Sequence, residues 1–138
     1  MADQVRKVSY AYVMVPDRAG QGTKVLDQVR KAGINMLAFS GFPTGKGKAQ
    51  LDIVVDRLAP LRGIAKTNGW SLSAPKRGFH IQGPDKLGAV SRHYQKLAKQ
   101  GIGVTAADAV SAGKGRYGMI LWVKAKDFDR AAKALSAK

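Results

Sequence analysis

The chain repeats itself. Pro16-Asp17-Arg18-Ala19-Gly20 returns as Pro84-Asp85-Lys86-Leu87-Gly88, 68 residues later. The same offset, without a gap, places Lys31 on Lys99, Gly33 on Gly101, Ile34 on Ile102 and Ala38 on Ala106. It also places Gly45-Lys46-Gly47 on Gly113-Lys114-Gly115 and Val55 on Val123. Two copies make a pair rather than a solenoid array. We therefore expect two small modules, residues 1–74 and 75–138. Modules of this size bury little core alone, so each is expected to pack on its neighbour or on a second chain.

Within the first copy, Val8 to Val15 is β-branched and aromatic and is stopped by Pro16, which predicts a strand. Pro16 to Gly22 is a turn. Thr23 to Ala32 sets Val25, Leu26, Val29 and Ala32 on one helical face, with Gly33 as a C-cap. Ile34 to Phe39 is a second strand and Gly41 to Gly47 a glycine-rich connection. Ala49 to Val55 alternates, with Leu51, Ile53 and Val55 inward. A second helix follows over Leu58 to Asn68, then a short strand at Trp70 to Ser73. Ala74 to Gly78 reads as a linker.

The second copy is expected to repeat these elements. Its strand is Phe79 to Gln82, its helix Ala89 to Gln100 with Val90, Tyr94 and Leu97 inward, its hairpin Val104 to Val110 and Tyr117 to Val123, and its last helix Phe128 to Leu135. No fourth strand follows. The fold class is α+β: two ferredoxin-like βαββαβ modules in tandem, the second lacking its last strand. That lack leaves a sheet edge which another segment or another subunit should cover.

The duplicated turn carries the chemistry. Gly20 and Gly88 let a ligand approach the backbone. The amides that open a helix attract a carboxylate or phosphate. Asp17 and Asp85 offer an acceptor to an ammonium group. Together they suit a zwitterion such as an amino acid. The same residues also serve as an ordinary turn, with aspartate a turn residue and glycine a steric necessity.

Asp17-Arg18-Ala19-Gly20, the helix end Arg30-Lys31-Ala32-Gly33 and Ile34-Asn35-Met36 resemble the ACT domain, a family of small βαββαβ modules that bind amino acids. Asp85-Lys86-Leu87-Gly88 and Gln100-Gly101-Ile102 are similar in the second copy. The resemblance spans nearly the whole chain. It implies ligand bound between the strand–helix turn of one module and the second strand of another. Asp17, Arg18, Ala19 and Gly20 would form one wall, Asp85, Lys86, Leu87 and Gly88 their counterpart, and Asn35 the polar residue of the second strand. The copies differ where Gly103 replaces Asn35 and Gly83 replaces Val15.

A net charge of +15 allows a polyanion-binding face or simply a solvated basic surface. Nucleic-acid binding with RNA-recognition topology is thus the alternative. Lys114 to Trp122 loosely matches the aromatic motif of such domains. Its register opposes the match, because the open face would carry Gly118, Ile120 and Trp122, the last two expected to be covered. A structural tandem without ligand is a third reading.

The glycine–lysine tips lack the spacing of a P-loop. His80 and His93 have no partner at metal spacing, so no metal or cofactor is assigned. No nucleophile, base and orienter occur together, so no catalysis is expected. There is no cysteine, no apolar run of spanning length and no signal-peptide pattern. The expectation is a cytoplasmic, non-catalytic sensor of a small amino-acid-type effector, a homodimer or higher oligomer that relays occupancy to a separate regulated protein.

Overall fold

A computed structural model describes residues 2–138. Its elements are β1 (Gln4–Pro16), α1 (Gln21–Lys31), β2 (Ala38–Gly45), β3 (Lys48–Val55), α2 (Leu58–Asn68), β4 (Lys76–Pro84), α3 (Ala89–Lys99), β5 (Ala106–Gly113), β6 (Arg116–Trp122) and α4 (Phe128–Ala134), the last preceded by a 3₁₀ turn at Ala125–Asp127. They form two compact units. One is Ser9–Lys76; the other joins Arg77–Lys138 to the N-terminal segment through Val8.

In the first unit β1 pairs antiparallel with β3, and β3 with β2. Ala11, Val13, Val15, Leu51, Ile53 and Val55 meet Val25, Val29 and Leu61 from the helices. The strand expected at Trp70 to Ser73 shrinks to a single bridge, Val13 to Leu72. It is held by Ser73 N–H donating to Tyr12 O at 2.8 Å and Tyr12 N–H to Ser73 Oγ at 2.9 Å.

The second unit repeats the register at the 68-residue offset. Ala11 faces Ile53 as Phe79 faces Leu121, Val13 faces Leu51 as Ile81 faces Met119, and Val15 faces Ala49 as Gly83 faces Tyr117. The sheet neighbours run β1-β4-β6-β5. The missing fourth strand is therefore supplied by the start of β1, whose Val5 lies in this core with Phe79, Ile81, Leu97, Leu121, Phe128 and Leu135. The chain beyond α4 pairs with the same segment: Lys138 N–H donates to Val5 O and Lys7 N–H to Lys138 O, both at 3.0 Å. The expected cover of the bare edge is thus a segment of this chain.

Four further expectations need correction. β2 begins at Ala38 rather than Ile34 and continues through Pro43 to Gly45. In this unit it pairs only with β3, and an edge strand tolerates a proline that cannot donate to a ladder. The glycine-rich connection shrinks to Lys46-Gly47, both at positive φ (56° and 73°), a tight turn that follows a register shift between Pro43 and Gly45. On α3 the buried residues are Ala89, His93 and Leu97. Val90 and Tyr94, expected inward, stand out at 38% and 43% exposure. β3 is buried on both faces toward its end, since Asp52 and Val54 are buried as well as Ile53 and Val55.

Candidate functional site at the duplicated turn

Both copies of the turn are built by the same three backbone hydrogen bonds. Asp17 N–H donates to Gly47 O and Asp85 N–H to Gly115 O, each at 2.8 Å, which pins the turn to the hairpin tip. Gln21 N–H to Arg18 O corresponds to Ala89 N–H to Lys86 O, and Lys24 N–H to Gly20 O corresponds to Arg92 N–H to Gly88 O. Gly20 and Gly88 take φ of 89° and 76°, the left-handed region that glycine enters without cost. α1 and α3 each start with no side-chain cap and no acidic residue in the first turn. Their opening amides carry the positive end of the helix dipole.

The copies part company at the opposite wall. Ser111 on β5 donates from Oγ to Asp85 Oδ2 at 2.6 Å. Its equivalent on β2 is Pro43, which has no hydroxyl to hold Asp17. The second turn lines an open groove of about 1040 Å³ whose other walls are Ala89, Val90, Ser91 and Tyr94 of α3, Ala109, Val110 and Ser111 of β5, and Tyr117 of β6. Leu87 is fully exposed at its rim and Val110 is 67% exposed.

Asp85, Lys86, Leu87 and Gly88 therefore come together around one cleft. Asp17, Arg18, Ala19 and Gly20 are contiguous and exposed. Asn35 lies three residues before β2, in the connection from α1, rather than on a strand. The cleft it lines contains Leu26, Val29, Arg30, Gly33, Ile34 and Met36, and none of the first-turn residues.

Behind the groove sits a polar cluster that sequence reasoning missed. Asp3 Oδ2 accepts from Tyr117 Oη at 2.5 Å, His93 Nε2 at 2.8 Å and Arg92 Nη2 at 3.1 Å. The side chains of Asp3 and His93 are only 6% and 2% exposed. Burial works to raise the Asp3 carboxyl, but the Tyr117 and His93 hydrogen bonds and the Arg92 charge outweigh it and hold the group below its ordinary value. Burial pushes His93 down against the pull of Asp3, so the ring is neutral at pH 7 and donates from Nε2. Burial, then Asp3, pushes the Tyr117 hydroxyl up, which keeps it a donor.

The signal for this cluster lay in the differences between copies. Val15, Val25 and Ala49 of the first become Gly83, His93 and Tyr117 of the second. A Cβ at Gly83 would overlap Asp3 Oδ1, so the glycine makes room for the carboxylate.

The expected covering of Ile120 and Trp122 holds: they are 4% and 5% exposed, and β6 presents no open stacking platform. Among the described residues no cluster of metal-binding side chains occurs and no helix is long and apolar enough to cross a membrane.

No protein-family pattern matches the chain, and no curated protein matches it. Solved structures do. A protein of Bacteroides thetaiotaomicron superposes with a TM-score of 0.80 at 16% identity, over 97% of this chain and 88% of that one. The regulatory subunit of aspartate kinase from Thermus thermophilus, in ligand-free form, gives 0.62 at 16% identity over 98% and 93%. The same subunit from Thermus flavus gives 0.59 at 17% over 98% and 94%. At such identities the likeness is one of fold.

Proposed function

From the premise that this chain has the tandem ACT fold, we propose that it is a non-catalytic regulatory protein whose second turn binds a small amino-acid-type effector. The observation that carries the reading is the groove at Asp85 to Ser91. It sets the uncapped start of α3 beside a carboxylate whose orientation Ser111 fixes. The amides receive the effector's carboxylate, and the free lone pairs of Asp85 receive its ammonium group. Val90, Tyr94 and Val110 supply the apolar floor for its side chain. The first turn, with Pro43 in place of Ser111, is the weaker site.

The open side of the groove is where a second copy closes over the effector, burying Leu87 and Val110. Occupancy then favours one arrangement of the pair by its differential affinity, and a separate protein reads that arrangement. The fold's named examples are regulatory parts of a kinase, which supports a regulatory role.

The test is thermal melting of the full chain against each proteinogenic amino acid at millimolar concentration. A ligand that binds only the folded state raises the midpoint by mass action. At least one amino acid should raise it, and Asp85→Ala should abolish the shift while Asp17→Ala reduces it less. A flat panel, with the chain folded, would refute the reading.

A further inference from the structure

The groove and the Asp3 cluster share a wall. Tyr117 lines the groove and donates to Asp3, and its hydroxyl lies 3.5 Å from the carbonyl of Ala89, another wall residue. Arg92 and His93, which also hold Asp3, sit on α3 between the groove residues Ser91 and Tyr94. Asp3 itself immediately precedes β1, whose start is the fourth strand of this unit. The carboxylate therefore joins three elements at one point: β1, α3 and β6.

This junction leaves little slack. Asp3 Oδ1, Arg92 Nε and His93 Nδ1 are buried without partners. Buried polar groups left unsatisfied are costly, so the seating of this carboxylate depends on the three donors that Oδ2 keeps. If the strand lifts, Tyr117, His93 and Arg92 lose their common acceptor together. The first copy, with Val15, Val25 and Ala49 at these places, has no such junction.

We propose that Asp3 is a latch coupling the seating of Gln4–Val8 to the groove beside the second turn, so that strand docking and effector binding stabilise each other. The effector half of this statement rests on the function proposed above. Coupling of this kind is reciprocal: a groove occupant that orders Tyr117 and α3 must also protect the strand. Loss of the strand must loosen the groove wall in the empty protein.

Hydrogen–deuterium exchange on the full chain tests both halves. In the ligand-free protein, Asp3→Asn should speed exchange at residues 4–8 and at the hydrogen-bonded amides of Asp85, Ala89 and Arg92 by about tenfold, the scale of one lost charge-assisted hydrogen bond. α2 of the other unit should be unchanged, which separates local release from global unfolding. Tyr117→Phe, which removes one donor and keeps the ring, should act in the same direction should Asp3→Asn fail to fold. Faster exchange at residues 4–8 with the amides of Asp85, Ala89 and Arg92 unaltered would reduce Asp3 to a strand tether and overturn the proposal.

Any amino acid that raises the melting midpoint should then slow exchange at residues 4–8 in the parent chain and not in Asp3→Asn. Protection confined to residues 85–91 would likewise overturn the coupling while leaving binding intact. If no amino acid binds, the sensor reading fails, and the ligand-free comparison still decides the latch.

Discussion

Gly83 shows how much one residue can carry. Its lack of a side chain is what lets a carboxylate sit buried beside the β4 ladder. Gly83→Ala forces Asp3 off its donors and should cost about 2 kcal/mol. Asp3→Ala removes the common acceptor and leaves His93 Nε2 and Tyr117 Oη to each other, 2.9 Å apart, and should cost about 2 kcal/mol. The double variant should be less destabilised than the sum, because the alanine methyl then fills the vacated space; a double-mutant cycle in urea measures this. The same cluster sets a pH dependence. His93 is held below its ordinary 6.5, so as pH falls the unfolded chain takes up that proton first. Its contribution is present above 6.5 and is lost toward the folded value. Asp3, held below 3.8, adds a second loss at lower pH. Melting midpoints should therefore fall as pH drops below about 6.5, and His93→Gln should flatten that limb. At the alkaline end Tyr117 is raised, so its contribution fades as pH climbs past 10.

Among the elements, α3 is the one whose phase the sequence misassigns. Periodicity counts Tyr94 as apolar and His93 as polar, and so turns Tyr94 inward. The fold turns His93 inward because Asp3, 90 residues away in the chain, meets it there. Tyr94 is thereby released to the groove. Tyr94→Ala should lower stability by less than about 1 kcal/mol yet abolish the amino-acid melting shift. Leu97→Ala, at a fully buried position, should cost about 3 kcal/mol whether or not an effector is present. Chemical denaturation with and without the proposed effector separates the two. β2 was misplaced for a related reason. Pro43 and its glycines read as a loop, and only the pairing with β3 shows them as an edge strand ending in a tight turn.

For the whole molecule, charge is the dominant fact. Against 24 lysines and arginines there are 9 acids, and some of those few are spent locally, as in Arg30 with Asp27 and Arg130 with Asp127. Net repulsion of this size opposes the compact state. Sodium chloride screens it over a Debye length of about 10 Å at 0.1 M, so the melting midpoint should rise as salt is added from low ionic strength. A midpoint that falls with salt would mean that attractive pairs outweigh the excess.

The 68-residue repeat, the alternation of helices with hairpins and the glycines of the turns were legible from residues alone. Each rests on contacts within a few residues or on a local hydrophobic period, and those are written directly in the chain. Three things were decided only by the tertiary structure: which strand fills the gap, which face of α3 is inside, and how the wall facing the second turn is built. Each depends on a partner far away in sequence: Val5 beside the β4 core, Asp3 beneath His93, Ser111 across from Asp85. Local propensity has no term for a hydrogen bond whose acceptor arrives from the other end of the chain.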